Sequence, residues 1–274
     1  DGDDLVFDRL ALRQPRVQRR RLAAPRRAGH EHHSVRLGAV LEATFPIGLG
    51  KAEDRFAYAS ALFAMNRYAD AAYQYNLVRK PAALAASAAY GRARALVRAG
   101  QVSEARSALR LIIHRDSRRA DAAAPALLLL ADLATDERRD PDARDALLQL
   151  ARTYPSHRYA PNALFRAAII AFAAGRMPVA ARELDSMARR YPDHPDAVAA
   201  RYWAGRAFAE QGDTAAARAR WHDVAGLDPL SYYGAAAAAR LGQPAWTPAI
   251  APAGLSGPIT EVASLRPYPP LMPA

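Results

Sequence analysis

The stretch AARYWAGRAFAEQGDTAAARARWHDVAGLDP (Ala199–Pro229) decides the fold. Apolar residues recur at helical spacing as far as Phe208. A turn is marked by Gln211-Gly212-Asp213, and a second apolar stripe runs to Asp228-Pro229. The spacing predicts two helices folded back on each other. Gly212 can take the positive φ that ends the first helix, and Pro229 stops the second.

The same frame recurs upstream. Turn centres fall at Asn66, Gly100, Arg138, Gly175 and Gly212, spaced by 34, 38, 37 and 37 residues. Seven residues before each centre stands a small residue: Ala59, Ala93, Ala131, Ala168, Gly205. Five after each stands an alanine: Ala71, Ala105, Ala143, Ala180, Ala217. Nine after comes a bulky group (Tyr75, Leu109, Leu147, Leu184, Trp221), and the last three units end on Pro155, Pro192 and Pro229. Where antiparallel helices cross, only Ala or Gly lets the backbones approach to the short end of the roughly 8–10 Å range. The bulky residue one turn on fills the groove toward the next hairpin. Helices of about 14 residues are marginal alone, so the hairpins must stack to build a continuous core. Composition agrees. Half the residues are apolar, but alanine dominates them, and an alanine core buries little area per residue, which favours many close helix contacts over a compact sphere.

These units resemble the tetratricopeptide repeat over about Lys51 to Pro229, most closely in WAGRAFAEQGDTAAARARWHDVAGLDP, with its small residue, Gly-Asp turn, alanine and final Asp-Pro. NRYADAAYQY (Asn66–Tyr75) matches the turn and second helix of the first unit. Arg138 departs from the turn glycine, and ATDERRDPD (Ala134–Asp142) reads as a looser corner. The expected fold is an all-α solenoid of about five such repeats. A basic, disordered segment is expected over 1–50, the array over 51–229, a capping helix over 230–242 and a disordered Pro/Ala-rich linker over 243–274.

The cap is expected in PLSYYGAAAAARLG (Pro229–Gly242). Ser231 can cap a helix by accepting a free backbone N–H. Tyr232 and Tyr233 can pack on the last repeat, and Gly234 permits close approach of a neighbour. A repeat hairpin followed by Ser231-Tyr232-Tyr233-Gly234 and then Arg240-Leu241-Gly242 also resembles the soluble lytic murein transglycosylases, locally, over about Ala199 to Gly242. That resemblance implies a periplasmic protein of the cell wall whose partners are peptidoglycan or a catalytic domain placed C-terminally. The family's catalytic domain opens with Glu-Ser, whose carboxyl acts as general acid and base. None of the eight glutamates here precedes a serine. The expectation is a non-catalytic superhelix, inactive on glycan by itself. Its start at Asp1 reads as that of a processed product or fragment, with no intact signal peptide visible.

Other chemistry is sparse. There are no cysteines, which excludes disulfides and Cys-based metal sites. No apolar run reaches 18 residues, so no membrane span is expected. The formal charge of +11 comes from 38 basic residues, of which only Lys51 and Lys80 are lysines. The arginines are dispersed except in RQPRVQRRRLAAPRR (Arg13–Arg27), which reads as a solvated tail, and nucleic acid is not the expected partner. GHEHH (Gly29–His33) crowds three histidines into a segment too local to converge on one metal. His114, His157, His194 and His222 lie near helix ends, where the negative C-terminus favours them. No cofactor, metal or catalytic residue is assigned. The candidate binding residues line the inner faces of the first helices: Phe56, Tyr90, Arg94, Arg98, Phe165, Tyr202 and Arg206. Aromatics beside arginines suit muropeptides or an acidic peptide; the same residues can instead pack between repeats. The competing reading is a TPR protein binding envelope proteins or peptides, as in envelope assembly or Tol-Pal coordination. It rests on the Tyr-Pro-x-His punctuation in RTYPSHRYAPNALFRAA and RRYPDHPDAVAARYWAG.

Overall fold

The computed structural model describes residues 51–244. The expectations for residues 1–50, including the arginine block and Gly29–His33, and for the Pro/Ala-rich segment from 245 onward lie outside the described residues. Among those described there are eleven α-helices and no strand. The first repeats contain α1 (Ala52–Ala64), α2 (Tyr68–Asn76), α3 (Ala82–Arg98) and α4 (Val102–Arg115). The middle is α5 (Ala120–Asp136), α6 (Asp140–Thr153), α7 (Ala160–Ala173) and α8 (Met177–Arg190). The end is α9 (Ala197–Glu210), α10 (Thr214–Leu227) and α11 (Tyr232–Leu241). Each helix packs on the next along the chain, as in an α-solenoid. Odd-numbered helices also reach one another, α1 to α3, α3 to α5 and α9 to α11, so they form the tighter inner layer.

All five turn centres take the left-handed conformation: Asn66 at φ 64°, Gly100 at 83°, Arg138 at 59°, Gly175 at 73° and Gly212 at 79°. Each turn closes with the same pair of bonds. At Gly175, its own N–H donates to the Phe172 carbonyl at 2.9 Å and that of Arg176 to the Ala171 carbonyl at 2.9 Å. This Schellman pattern satisfies the last carbonyls of the first helix. The Arg138 corner, expected to be looser, makes the same two bonds at 3.0 and 2.8 Å. The backbone geometry of the corner is set by those bonds, and a residue with a Cβ is forced into it.

The alanines of the repeat frame are buried. Ala59, Ala93, Ala131 and Ala168 are at 0%, and the five after the turns are at 0–1% exposure. At Gly205 a Cβ would lie 2.5 Å from the Trp221 indole nitrogen, so glycine makes room for the largest plug in the array. The core runs through α5. Ala122, Ala126 and Leu133 belong to the cluster of the first two repeats, while Ala124, Leu127 and Ala131 belong to that of the rest. Ion pairs stitch successive repeats: Arg106 on α4 to Glu137 at the end of α5, Arg144 on α6 to Glu183 on α8, and Arg220 on α10 to both carboxylate oxygens of Asp185 at 3.0 and 2.8 Å.

The Tyr-Pro-x-His punctuation has a local explanation. The Tyr154 hydroxyl donates to the Ser117 carbonyl at 2.7 Å and that of Tyr191 to the Pro155 carbonyl at 2.9 Å, each reaching back to the preceding loop. His157 Nδ1 accepts the N–H of Tyr159, and His194 Nδ1 that of Asp196, both at 3.2 Å. These two histidines therefore hold the entry of the following helix, not the end of the preceding one. Burial, then the neighbouring Arg158, push His157 below its ordinary value of 6.5, with Asp121 opposing. Its unfolded pKa exceeds the folded one, so its contribution is present above about pH 6.5 and is lost as the pH falls through the lowered value. Replacing His157 with Gln should flatten that limb of a stability-versus-pH curve followed by urea unfolding; an unchanged limb would deny His157 this part.

Candidate functional site

The inner face is built from fixed positions of the repeat. Six residues before each turn centre stand Ser60, Arg94, Asp132, Ile169 and Arg206. Arg94 on α3 is exposed, with its guanidinium 4.9 Å from the centre of the Phe63 ring on α1 and 6.0 Å from that of Tyr90. Among the described residues it makes no ion pair. Arg98, one turn further on the same face, is likewise exposed and unpaired. Burial raises the Tyr90 pKa; Arg94 opposes that, while Tyr159 and Asp132 add to it. Those four groups come from three successive repeats, and Arg94 with Phe63, Tyr90 and Arg98 makes a cationic, aromatic surface at the N-terminal half of the inner layer.

Further along, charge is internally balanced. Arg166 on α7 pairs with Asp132 on α5 at 2.7 Å, and Asn162 donates to Asp196 at 3.4 Å. Arg206 lies 5.5 Å over Trp203 and 3.9 Å from Glu210. Phe165 and Tyr202, placed on this face by their register, are 5% and 4% exposed and lie in the core. Tyr202 is covered by Tyr233, with ring centres 5.4 Å apart. Phe56 is half-buried and packs edge-on against Tyr75 at 5.5 Å, sealing α1 to α2. Of the seven candidates, Tyr90, Arg94 and Arg98 come together on the accessible surface. Phe63, Asp132 and Tyr159 complete it without having been singled out. Asp132 carried a readable signal, since it occupies the repeat position of Arg94.

At the far end, Ser231 caps α11 by accepting the Gly234 N–H at 3.0 Å. Tyr233 packs on Tyr202 and accepts a hydrogen bond from Trp203, although burial still raises its pKa. Tyr232 stacks edge-on to Tyr233. A Cβ at Gly234 would fall 2.0 Å from the Asp228 carbonyl oxygen. Capping thus accounts for Ser231, Tyr233 and Gly234 of the Ser-Tyr-Tyr-Gly motif, while Tyr232 is 58% exposed. Among the described residues no helix is long and apolar enough to cross a membrane.

The tetratricopeptide-repeat family model matches residues 128–195 and again 165–232. The fold is an α-solenoid built of tetratricopeptide repeats. Among solved structures, BtubC (BKLC) from P. vanneervenii matches 81% of this chain and 96% of its own at 12% identity, with a TM-score of 0.53. YrrB, described as a TPR protein with an unusual peptide-binding site, matches 68% of this chain and 91% of its own at 17% identity and a TM-score of 0.48. A MamA structure matches 73% and 98%, at 13% identity and a TM-score of 0.48. At such identities the likeness concerns the fold alone. No curated protein shows significant sequence similarity to this chain.

Proposed function

We propose that this protein is a binding scaffold for other proteins, taking an extended acidic segment along the N-terminal half of its inner face. The repeat fold supports a protein-interaction role, and the Arg94 site supports the chemistry. A guanidinium stacked on Phe63 and Tyr90, with no carboxylate of its own, is held in place yet keeps its donors for a ligand. Arg98 beside it extends the positive surface by one helical turn. The reading as the superhelix of a lytic transglycosylase draws on Ser231–Gly234, where capping accounts for all but Tyr232, and is the weaker one. Binding of muropeptides to the Arg94 surface is the result that would restore it.

The test is an array of short peptides varying in Asp, Glu and aromatic content. Bound peptides should be enriched in carboxylates. Arg94→Ala should weaken the best of them by roughly tenfold, the scale of one hydrogen-bonded charge contact, without moving the unfolding midpoint. Retention of neutral peptides, or wild-type affinity in Arg94→Ala, would refute the assignment.

A further inference from the structure

We infer that a second docking surface, separate from the inner face, lies on the outer edge of the first two repeats and takes an acidic protein segment with aliphatic side chains between its carboxylates. Leu77 and Leu111 stand eleven residues after their turn centres and are 37% and 57% exposed. The corresponding positions of the later repeats are polar: Gln149, Ser186 and Asp223. The frame does not require leucine there, and water does not favour it. The two repeats that carry these leucines also carry the basic loops. Within Tyr73–Lys80 and Arg110–Arg119 there are six lysines or arginines against one acid, Asp116. At the other end of the array, Arg189–Asp196 and Leu227–Ser231 hold two basic residues against three acids.

The basic loop between α4 and α5 curls around a depression open to solvent. Arg115, Asp116, Ser117, Arg118 and Arg119 line a cavity of about 530 Å³. Arg115 is engaged by Asp116, at 3.1 and 2.9 Å from Nε and Nη2. The Arg118 and Arg119 side chains are exposed and make no hydrogen bond or ion pair among the described residues, while the Arg119 backbone N–H donates to the Asp116 carbonyl at 2.8 Å. The loop is tied down from the next repeat by the Tyr154 hydroxyl on the Ser117 carbonyl. Leu111 precedes Arg115 by four residues on α4, so the two share a face of that helix. Two adjacent exposed guanidiniums suit carboxylates, which they can grip through two parallel bonds. The neighbouring leucines suit aliphatic side chains, a mixture common in protein interfaces. A phosphodiester chain would leave the leucines unused.

The probe is a fluorescein-labelled peptide built of Glu-Glu-Leu triplets, titrated by anisotropy at low ionic strength against the full chain, with circular dichroism to show that each variant keeps its helices. The double charge reversal Arg118→Glu, Arg119→Glu should weaken binding at least about tenfold, because it places like charges opposite the ligand. Asp116→Asn should tighten it severalfold, and Leu77→Ser with Leu111→Ser should weaken it severalfold. Arg94→Glu removes the inner face's own share of acidic-peptide binding, and in that background the loss caused by Arg118→Glu with Arg119→Glu should persist, which separates this surface from the inner face. The inference fails if the peptide does not bind, or if either double variant binds as wild type. It fails equally if the effect of that charge reversal vanishes in the Arg94→Glu background, or if an oligonucleotide or anionic vesicles bind more tightly through the same arginines.

Discussion

Glu183→Ala should cost the array about 3–5 kcal/mol, the scale of breaking a buried ion pair by removing one partner. Arg144 is 8% exposed and is buried between α6 and α8, where its charge-balancing contact is the Glu183 carboxylate. Removal of that carboxylate leaves a largely buried guanidinium without its counter-charge. The pair is also incompletely satisfied, since Arg144 Nε and Glu183 Oε2 have no partner. A fitted apolar pair, Arg144→Met with Glu183→Leu, should therefore return stability to within about 1 kcal/mol of wild type or exceed it. Urea unfolding followed by circular dichroism measures both. A loss below about 1 kcal/mol for Glu183→Ala would mean that water reaches the pair.

Gly234→Ala should be nearly as severe, but local. The added methyl would meet the Asp228 carbonyl oxygen at 2.0 Å, and that oxygen belongs to backbone. Either α11 shifts away from the end of α10 or the intervening turn opens. Overpacking of this kind costs about 1–3 kcal/mol, and the Ser231 cap, worth about 1 kcal/mol, would go with it. Nearest-neighbour coupling in repeat arrays confines such damage to the adjoining unit. Amide exchange over Tyr232–Leu241 should approach that of an unfolded segment, while α5–α8 keep their protection. Tryptophan fluorescence should change as well, since Tyr233 leaves Trp203. Uniformly faster exchange along the whole chain would contradict this picture.

The hairpins were legible because their signals are steric and local. A left-handed corner selects glycine or asparagine, and a close helix crossing selects alanine, so Gly100, Gly175 and Gly212 with their flanking alanines mark the turns unaided. The frame placed the Arg138 corner but read it as looser, because backbone hydrogen bonds, which leave no mark in side-chain identity, impose the same φ on it. The inner face was legible in register and not in depth. Tyr90, Phe165 and Tyr202 share one repeat position, yet only Tyr90 reaches the surface. Helical periodicity fixes the angle of a side chain about its axis. It is silent on how far the next inner helix overlaps it, which for Tyr202 is decided by Tyr233 from a different element. The Arg94 site depends in the same way on Phe63, Asp132 and Tyr159, from neighbouring repeats.

The tyrosine bonds from Tyr154 to Ser117 and from Tyr191 to Pro155 carry a mechanical implication. At the matching positions of the flanking repeats stand Asp116 and Asp228, which cannot make that link. Regarded as a spring, the solenoid has riveted central coils and unriveted outer ones. Tension applied between its ends would peel the outer hairpins first, leaving the middle coiled until the load rose further.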